Sequence, residues 1–361
     1  MEPLKEMFNQ SYYEQLSKVC EQVIPDFDRK HFLKKCIHQI DTRALNERLR
    51  HTSQVLFEHL SGKPKKDFPL IKKIAFKMPT GYTSLVYPDF VSQYGMNEFD
   101  LSMQYLADLT SLGSSEFAVR HFLKADFERA FFHLKQWSLH DNHHVRRLSS
   151  ESCRPRLPWS FKLDAVVHSP QLTRPVLDRL KEDESLYVRK SVANHINDFS
   201  KDHPKYVIDL VKEWKGQDTH TEWIIQHACR TLIKKGDPDL LKVMGVKTGV
   251  EVKLSKFKIL KTPIHLGEDL IFSFEIVSAS KTKERIIIDY IIDYCRPENR
   301  PSSKVFKLKS FEIQPGEKVF VQKKQSMKDF STRKHFAGKH QLSIQVNGNI
   351  LAKKFFDLLV D

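Results

Sequence analysis

The sequence predicts two folds in series, an all-α helical-repeat array over residues 1–245 and a β-sandwich over residues 246–361. Three observations predict this. Apolar residues recur at helical spacing before residue 245 and alternate with polar ones after it. Pro, Gly, Asn and Asp punctuate the first part at short intervals. Segments starting at Val145, Val188 and Ile224 superpose at offsets of 43 and 36 residues.

In the helical part, Val23, Phe27, Phe32 and Cys36 lead into Ile37, Ile40, Leu45 and Leu49, broken only by the Pro25-Asp26 turn. Leu101, Tyr105, Leu106 and Leu109 form an i, i+4, i+5, i+8 stripe. Breaks at Gly62-Lys63-Pro64, Pro79-Thr80-Gly81, Ser169-Pro170, His203-Pro204 and Gly236-Asp237-Pro238 leave a string of short helices. The three similar segments, VRRLSSES, VRKSVANH and IIQHACRT, each run from an apolar start through a polar pair to small residues. A helical repeat of about 40 residues is typical of HEAT-like arrays. Chance is the competing explanation, because small residues are common in helices.

After residue 245, Val250, Val252 and Leu254 alternate with charged residues. Leu270–Ile276 and Ile286–Ile292 are rich in β-branched and aromatic residues, and further strands are expected to start near Val305, Val319, Leu342 and Ile350. Asn347-Gly348-Asn349 reads as a hairpin turn between the last two. About seven strands in this length predict an immunoglobulin-like sandwich. Its only cysteine is Cys295, so the Cys…Trp…Cys signature is missing and an antibody-type domain is excluded.

A hydrophobic content of 40% excludes a disordered chain, and a formal charge of +14 favours anionic partners, nucleic acid or an acidic membrane surface. Residues 245–361 hold 22 Lys+Arg against 13 Asp+Glu, a net of +9, which leaves +5 for the rest. Lys304–Lys309, Lys323-Lys324 and Arg333-Lys334-His335 are candidate contacts to a phosphate backbone, although solubility explains any one run as well. No run of about 18 apolar residues offers a membrane span. The start, MEPLKEMFNQSYYEQL, lacks an apolar signal core, which argues against secretion. Cys20, Cys36, Cys153, Cys229 and Cys295 are scattered and odd in number, which argues against a disulfide framework or a zinc site and fits a reducing cytoplasm. His143 and His144 are adjacent, so on a helix their rings should point about 100° apart. No metal and no cofactor are expected.

The chemistry concentrates in Asn142–Trp159, NHHVRRLSSESCRPRLPW. Arg146, Arg147, Arg154 and Arg156 surround a single carboxylate, Glu151. Guanidiniums in this density suit phosphate, whereas the carboxylate would repel it and needs a structural partner or a chemical role. Asp141 or Asn142 caps a predicted helix that Pro155 ends, with Val145 and Leu148 facing inward. Arg147, Glu151 and Arg154 stand at i, i+4 and i+7 and so share a face. One reading is an exposed ion-pair ladder, with Trp159 as a core anchor under the loop. The other is a working site, with Trp159 and Arg156 presented by a loop that two prolines stiffen.

VRRLSSESCRPRLPW resembles the signature of the AlkC branch of AlkC/AlkD-like DNA glycosylases. The resemblance extends upstream to Ser114-Ser115-Glu116-Phe117-Ala118-Val119-Arg120 and downstream to Val188–Asp198 and Lys201-Asp202-His203-Pro204. It covers roughly residues 1–245, and a basic immunoglobulin-like domain at the C-terminus resembles one subgroup of the branch. The resemblance implies a HEAT-like fold cradling duplex DNA. It also implies excision of cationic alkylated bases, N3-methyladenine, N3-methylcytosine and N1-methyladenine, without full base flipping.

In that role Glu151 would stabilise an oxocarbenium-like sugar and place a water on it, by analogy with glycoside hydrolysis. Glu116 resembles a second family carboxylate; its alternative is a first-turn Glu that the helix dipole favours. Trp159 would offer its ring face to the cationic sugar or base. Arg146, Arg147, Arg154 and Arg156 would hold flanking phosphates, and Arg189 and Lys190, in the equivalent repeat, would continue that track. Nothing marks a lysine nucleophile, so a monofunctional glycosylase leaving an abasic site is expected. It would be a cytoplasmic, nucleoid-associated monomer whose partner is double-stranded DNA carrying alkylated bases. Two other classes compete: a non-catalytic DNA-binding repair or architectural protein, and a helical scaffold that binds proteins.

Overall fold

The computed structural model describes residues 3–247, 249, 251–297, 302–330 and 334–360. Of the sequence expectations, Val250 and Arg333 lie outside these. Sixteen α-helices precede eight β-strands among the described residues. The chain divides into two compact units. One holds the residues up to Tyr206 together with Trp214–Ala228, and the other holds Val207–Glu213 with the chain from Cys229 onward.

The first unit is a two-layer helical array. Helices Leu45–Glu58, Val86–Tyr94, Glu116–Ala125, His143–Ser152, Leu186–Phe199 and Thr219–Ala228 pack side by side in that order. Gln10–Val23, Pro64–Lys77, Phe99–Leu109, Phe127–Trp137 and Arg174–Leu180 form the second row. Short polar caps explain the many short helices. Asn9, Asp28, Asp126 and Asn142 each accept a backbone N–H of the first turn, and Pro64 occupies a first-turn position where its missing N–H costs nothing.

The similar segments at Val145, Val188 and Ile224 fall on three consecutive helices of the first row. A shared backbone contact marks the 43-residue offset. Arg146 Nη1 donates to the carbonyls of His140 and Asp141, and Arg189 Nη1 donates to those of Asp183 and Glu184. Each arginine thus reaches six and five residues back to close the turn that enters its own helix.

The second unit contains β1 (Val252–Ile259), β2 (Ile264–His265), β3 (Asp269–Ser278), β4 (Glu284–Tyr294), β5 (Ser302–Ile313), β6 (Lys318–Ser326), β7 (Gly338–Val346) and β8 (Asn349–Leu359). They form a three-stranded sheet, β1-β3-β6, and a five-stranded sheet, β2-β8-β7-β4-β5. The count exceeds the expected seven by the two-residue β2, too short to show a hydrophobic period. Phe272, Phe274 and Ile276 of β3 face Ile288, Tyr290 and Ile292 of β4 in a core with no solvent access at most positions. The expected β7–β8 turn has Asn347 at φ +45° and Gly348 at φ +85°, the left-handed pair a two-residue hairpin needs.

The period change near residue 245 marks the start of the strands, but the compact unit that holds them also takes in Val207–Glu213 and the chain from Cys229 onward. Helix Arg230–Lys235 packs on β5. A Cβ on Gly236 would meet Gly348 Cα at 2.5 Å, so two glycines allow this helix end to touch the hairpin. Asn347 Nδ2 donates to Lys247 O at 2.8 Å, while its Oδ1 accepts from Ile287 N at 2.7 Å.

Candidate active site

Helix His143–Ser152 starts where Asn142 Oδ1 accepts from His144 N at 2.9 Å, and it ends before Pro155. Val145 and Leu148 are buried on its inner side, as their spacing requires. Glu151 is only 6% exposed and reaches into a network. Its Oε1 accepts from Arg154 Nη1 at 2.7 Å and lies 3.4 Å from Arg147 Nη2. Its Oε2 accepts from Ser191 Oγ at 2.6 Å. A carboxylate has about four acceptor positions. Three donors orient Glu151 and leave one position on it.

Glu116 opens the neighbouring helix Glu116–Ala125 and is buried. Its Oε2 accepts from Arg147 Nη1 at 3.1 Å, and the same Nη1 donates to Ser114 Oγ at 2.8 Å. The two predicted carboxylates therefore meet at one guanidinium. Burial pushes the Glu116 carboxyl above its ordinary range, and the Arg147 charge pulls it partly back. Burial alone would lower Arg147, but Glu116 and Glu151 together hold it above its usual value. The Arg147 guanidinium also lies over the Tyr187 ring, 4.9 Å from its centroid.

The picture of four guanidiniums open to an anion is corrected. Each already holds a carboxylate. Arg146 grips Asp183 with Nε and Nη2 at 2.6 and 3.1 Å, and Arg154 grips Asp198 with Nε and Nη2 at 2.8 and 3.1 Å. Arg156 pairs with Asp202. The ladder expected from i, i+4, i+7 spacing exists, but it is buried rather than exposed. Arg189 lies over Trp223, 5.6 Å from its centroid, and Lys190 is exposed on helix Leu186–Phe199. The His143 and His144 rings are also not splayed. Their centroids are 4.3 Å apart because both lean toward Tyr187.

The loop after the helix is held from below. Arg120, four residues after Glu116 and fully buried, donates through Nη1 to Ser152 O at 2.9 Å and Arg154 O at 2.6 Å, and through Nη2 to Phe161 O. Leu157 and Leu163 anchor the loop, and Leu163 N donates to Pro155 O at 3.2 Å. Trp159 stands at φ +65° and is 74% exposed, so it is not a core anchor. A bulky residue in that region costs about 1–3 kcal/mol, which the surrounding loop sustains.

Ser191, Asp198 and Arg120 lie within the segments that carry the family resemblance, but spacing alone assigns them no role. The 43-residue repeat was the available signal for Ser191, since it puts helix Leu186–Phe199 against the helix of Glu151. His195 of that helix is buried between Ser150 O, 3.0 Å from Nδ1, and Thr173 Oγ1, 3.1 Å from Nε2. A carbonyl only accepts, so Nδ1 carries the proton and Nε2 is the acceptor. Burial, with the Arg154 charge, pushes His195 down to about 3.

A cavity of about 240 Å³ opens beside Trp159. Tyr82, Phe117, His121 and Phe161 contribute rings to it, and Ser114, the hydroxyl that Arg147 grips, forms part of its wall.

Residues 253–360 match the family described as Uncharacterised protein YhaZ, C-terminal Ig-like domain. Uncharacterized protein YhaZ of Bacillus subtilis (strain 168) is 39% identical over 353 residues, covering 97% of this chain and 98% of that protein. The structure of Pseudomonas fluorescens alkylpurine DNA glycosylase AlkC, bound to DNA containing an abasic site analog, superposes with a TM-score of 0.96 at 40% identity. That match covers 99% of this chain and 100% of the other.

Proposed function

Because the chain belongs to the family that contains AlkC of Pseudomonas fluorescens and YhaZ of Bacillus subtilis, we propose that it is a DNA glycosylase of base excision repair. It hydrolyses the N-glycosidic bond of cationic alkylated bases in duplex DNA, N3-methyladenine, N3-methylcytosine and N1-methyladenine, and leaves an abasic site without fully flipping the nucleotide. The observation that carries this reading is the buried pair Glu116 and Glu151 on one guanidinium, with Trp159 displayed nearby in a left-handed conformation.

A methylated base leaves as a neutral molecule, because the electron pair of the C–N bond discharges its positive charge. No general acid is required. Positive charge builds on the sugar instead, and a fixed carboxylate stabilises it. Glu151 suits that task. Arg147, Arg154 and Ser191 pre-orient it, and its remaining acceptor position holds a water whose oxygen attacks C1′. The proton that water loses passes through the carboxylate to solvent. Glu116, across Arg147, adds a second negative group. Trp159 lays its ring face against the cation.

Positioning of Glu151 falls to Arg147 and Arg154, whose carboxylate pairs are buried. The exposed Lys190 and the more accessible Arg156 meet the phosphates, while Arg146 and Arg189 brace the turns that enter their own helices. The sandwich, with its net charge of +9, clamps the duplex and helps open it around the lesion.

The test is release of N3-methyladenine from methylated DNA by the wild type and by Glu151→Gln. Loss of excision with retained DNA binding supports the mechanism. Full excision by the folded variant removes Glu151 from it. The three donors that hold Glu151 also suit a purely structural hub in a DNA-binding protein without catalysis. That reading requires the wild type to bind DNA and release no base at any lesion.

A further inference from the structure

The cavity beside Trp159 is not lined by Glu116, Arg147 or Glu151, and of its wall only Trp159 has a part in the hydrolytic mechanism. Four of its wall residues, Tyr82, Phe117, Trp159 and Phe161, carry π faces, and His121 adds an imidazole that meets Phe161 edge-on at 5.4 Å. At about 240 Å³ it falls just below the roughly 300 Å³ where pockets for drug-sized ligands begin. That is the scale of one planar ring system. Its wall also carries polar side chains, Asn46, Arg50, Asp89, Ser92 and Ser160 besides Ser114. Asn46 Oδ1 accepts from Tyr82 Oη at 2.6 Å, and Arg50 is paired with Asp89 at 2.8 Å. His121 makes no hydrogen bond to another described residue, so its ring nitrogens are available to a donor–acceptor edge.

Position adds a second argument. Ser114 belongs both to this wall and to the Arg147 contact, so the cavity adjoins the groups assigned to the sugar. Trp159 sits at its rim in a strained left-handed conformation that no packing need explains, since the indole is mostly exposed. A platform of aromatic rings that opens next to a cleaved glycosidic bond fits the leaving group. We infer that this cavity is a leaving-base subsite, which binds the free N3-methylated purine after cleavage by stacking it on the Tyr82, Phe117 and Trp159 rings. The inference rests on the glycosylase reading for the identity of the base. It requires no flipping of the intact nucleotide, because the base enters only after its bond to the sugar is broken.

The experiment titrates free 3-methyladenine into the full-length wild type, Tyr82→Ala, Phe117→Ala and Tyr82→Phe. Binding is followed by ligand-observed NMR, and inhibition of excision is measured in parallel. The wild type and Tyr82→Phe are expected to bind, and the two alanine variants at least about tenfold more weakly, with circular dichroism showing all four folded. Absence of wild-type binding at millimolar 3-methyladenine overturns the subsite, and so does equal binding by folded alanine variants. If the base binds as expected but the wild type excises nothing from methylated DNA, the glycosylase reading falls and the nucleobase cavity stands.

Discussion

Glu116 and Glu151, from two neighbouring helices, are joined by one side chain. Arg147 donates to Glu116 Oε2 at 3.1 Å and lies 3.4 Å from Glu151 Oε1. A planar fork can serve two carboxylates at once, whereas an ammonium is a single point of charge. The spacing between the two acids is therefore set by the guanidinium.

Arg147→Met should leave Glu116 buried without its counter-ion, beside a Glu151 that keeps only Arg154. Breaking one side of a buried pair costs about 3–5 kcal/mol. Urea unfolding should show a loss of that size, and Arg147→Lys a smaller one. Excision should fall in both, since neither restores the fork. A folded Arg147→Lys with wild-type excision would mean that the shared geometry has no part in the reaction.

Ser191→Ala removes the 2.6 Å bond to Glu151 Oε2. Hydrogen bonds to charged groups contribute about 1.5–3 kcal/mol. A drop in thermal midpoint is expected, with a fall of about tenfold in kcat if about 1.4 kcal/mol of this is felt in the transition state. DNA affinity should hold. An unchanged kcat would show that Glu151 is oriented by its arginines alone.

His195 supplies a pH signature. Its folded value, about 3, lies below the ordinary 6.5. The folded state therefore disfavours the proton, so this stability contribution is present above pH 6.5 and is lost as pH falls toward 3. Each pH unit in that window should remove about 1.4 kcal/mol through this group. Glu116 acts in the opposite sense. Its raised value gives a contribution present at low pH and lost as pH rises through its folded value. Urea midpoints across pH 3–7 should show a shallower acid slope for His195→Gln than for the wild type. Parallel slopes would count against a buried neutral imidazole.

The legible and illegible parts of the chain divide on a physical line. Local signals carried far: period two in β3 and β4, the Asn347-Gly348 turn, the Asn142 cap and the inward Val145 and Leu148 all follow from spacing. The partners of the arginines did not. Asp183 and Asp202 sit in other repeats with no sequence mark that pairs them with Arg146 and Arg156. Counting nearby charge therefore suggested an open anion site where the fold builds a closed network. Arg120 was invisible for another reason: its partners are backbone carbonyls, which every residue has.

The sandwich offers a salt-dependence test. Lys304 and Lys309 are exposed on β5. If both meet phosphates, Lys304→Gln with Lys309→Gln should weaken binding to duplex DNA. It should also reduce the slope of log affinity against log salt by about 1.8, at about 0.9 per contact. An unchanged slope would exclude these two from the interface.

Trp159 separates stability from function most cleanly. The indole is 74% exposed, so its removal gives up little buried area. Its φ of +65° strains any residue with a Cβ, and glycine adopts it freely. Glycine also gains entropy in the unfolded chain, which offsets part of the relief. Trp159→Gly should therefore leave stability unchanged or raise it by up to about 1 kcal/mol, while Trp159→Ala keeps the strain and gains nothing. Both should lose excision, because both lack the ring face. A protein that becomes no less stable when a large aromatic is deleted, yet stops working, holds that residue for its task. Thermal midpoints and base release measured on the same preparations decide it. If Trp159→Gly unfolds several degrees earlier, the loop depends on the indole for packing, and the functional account of its strained backbone fails.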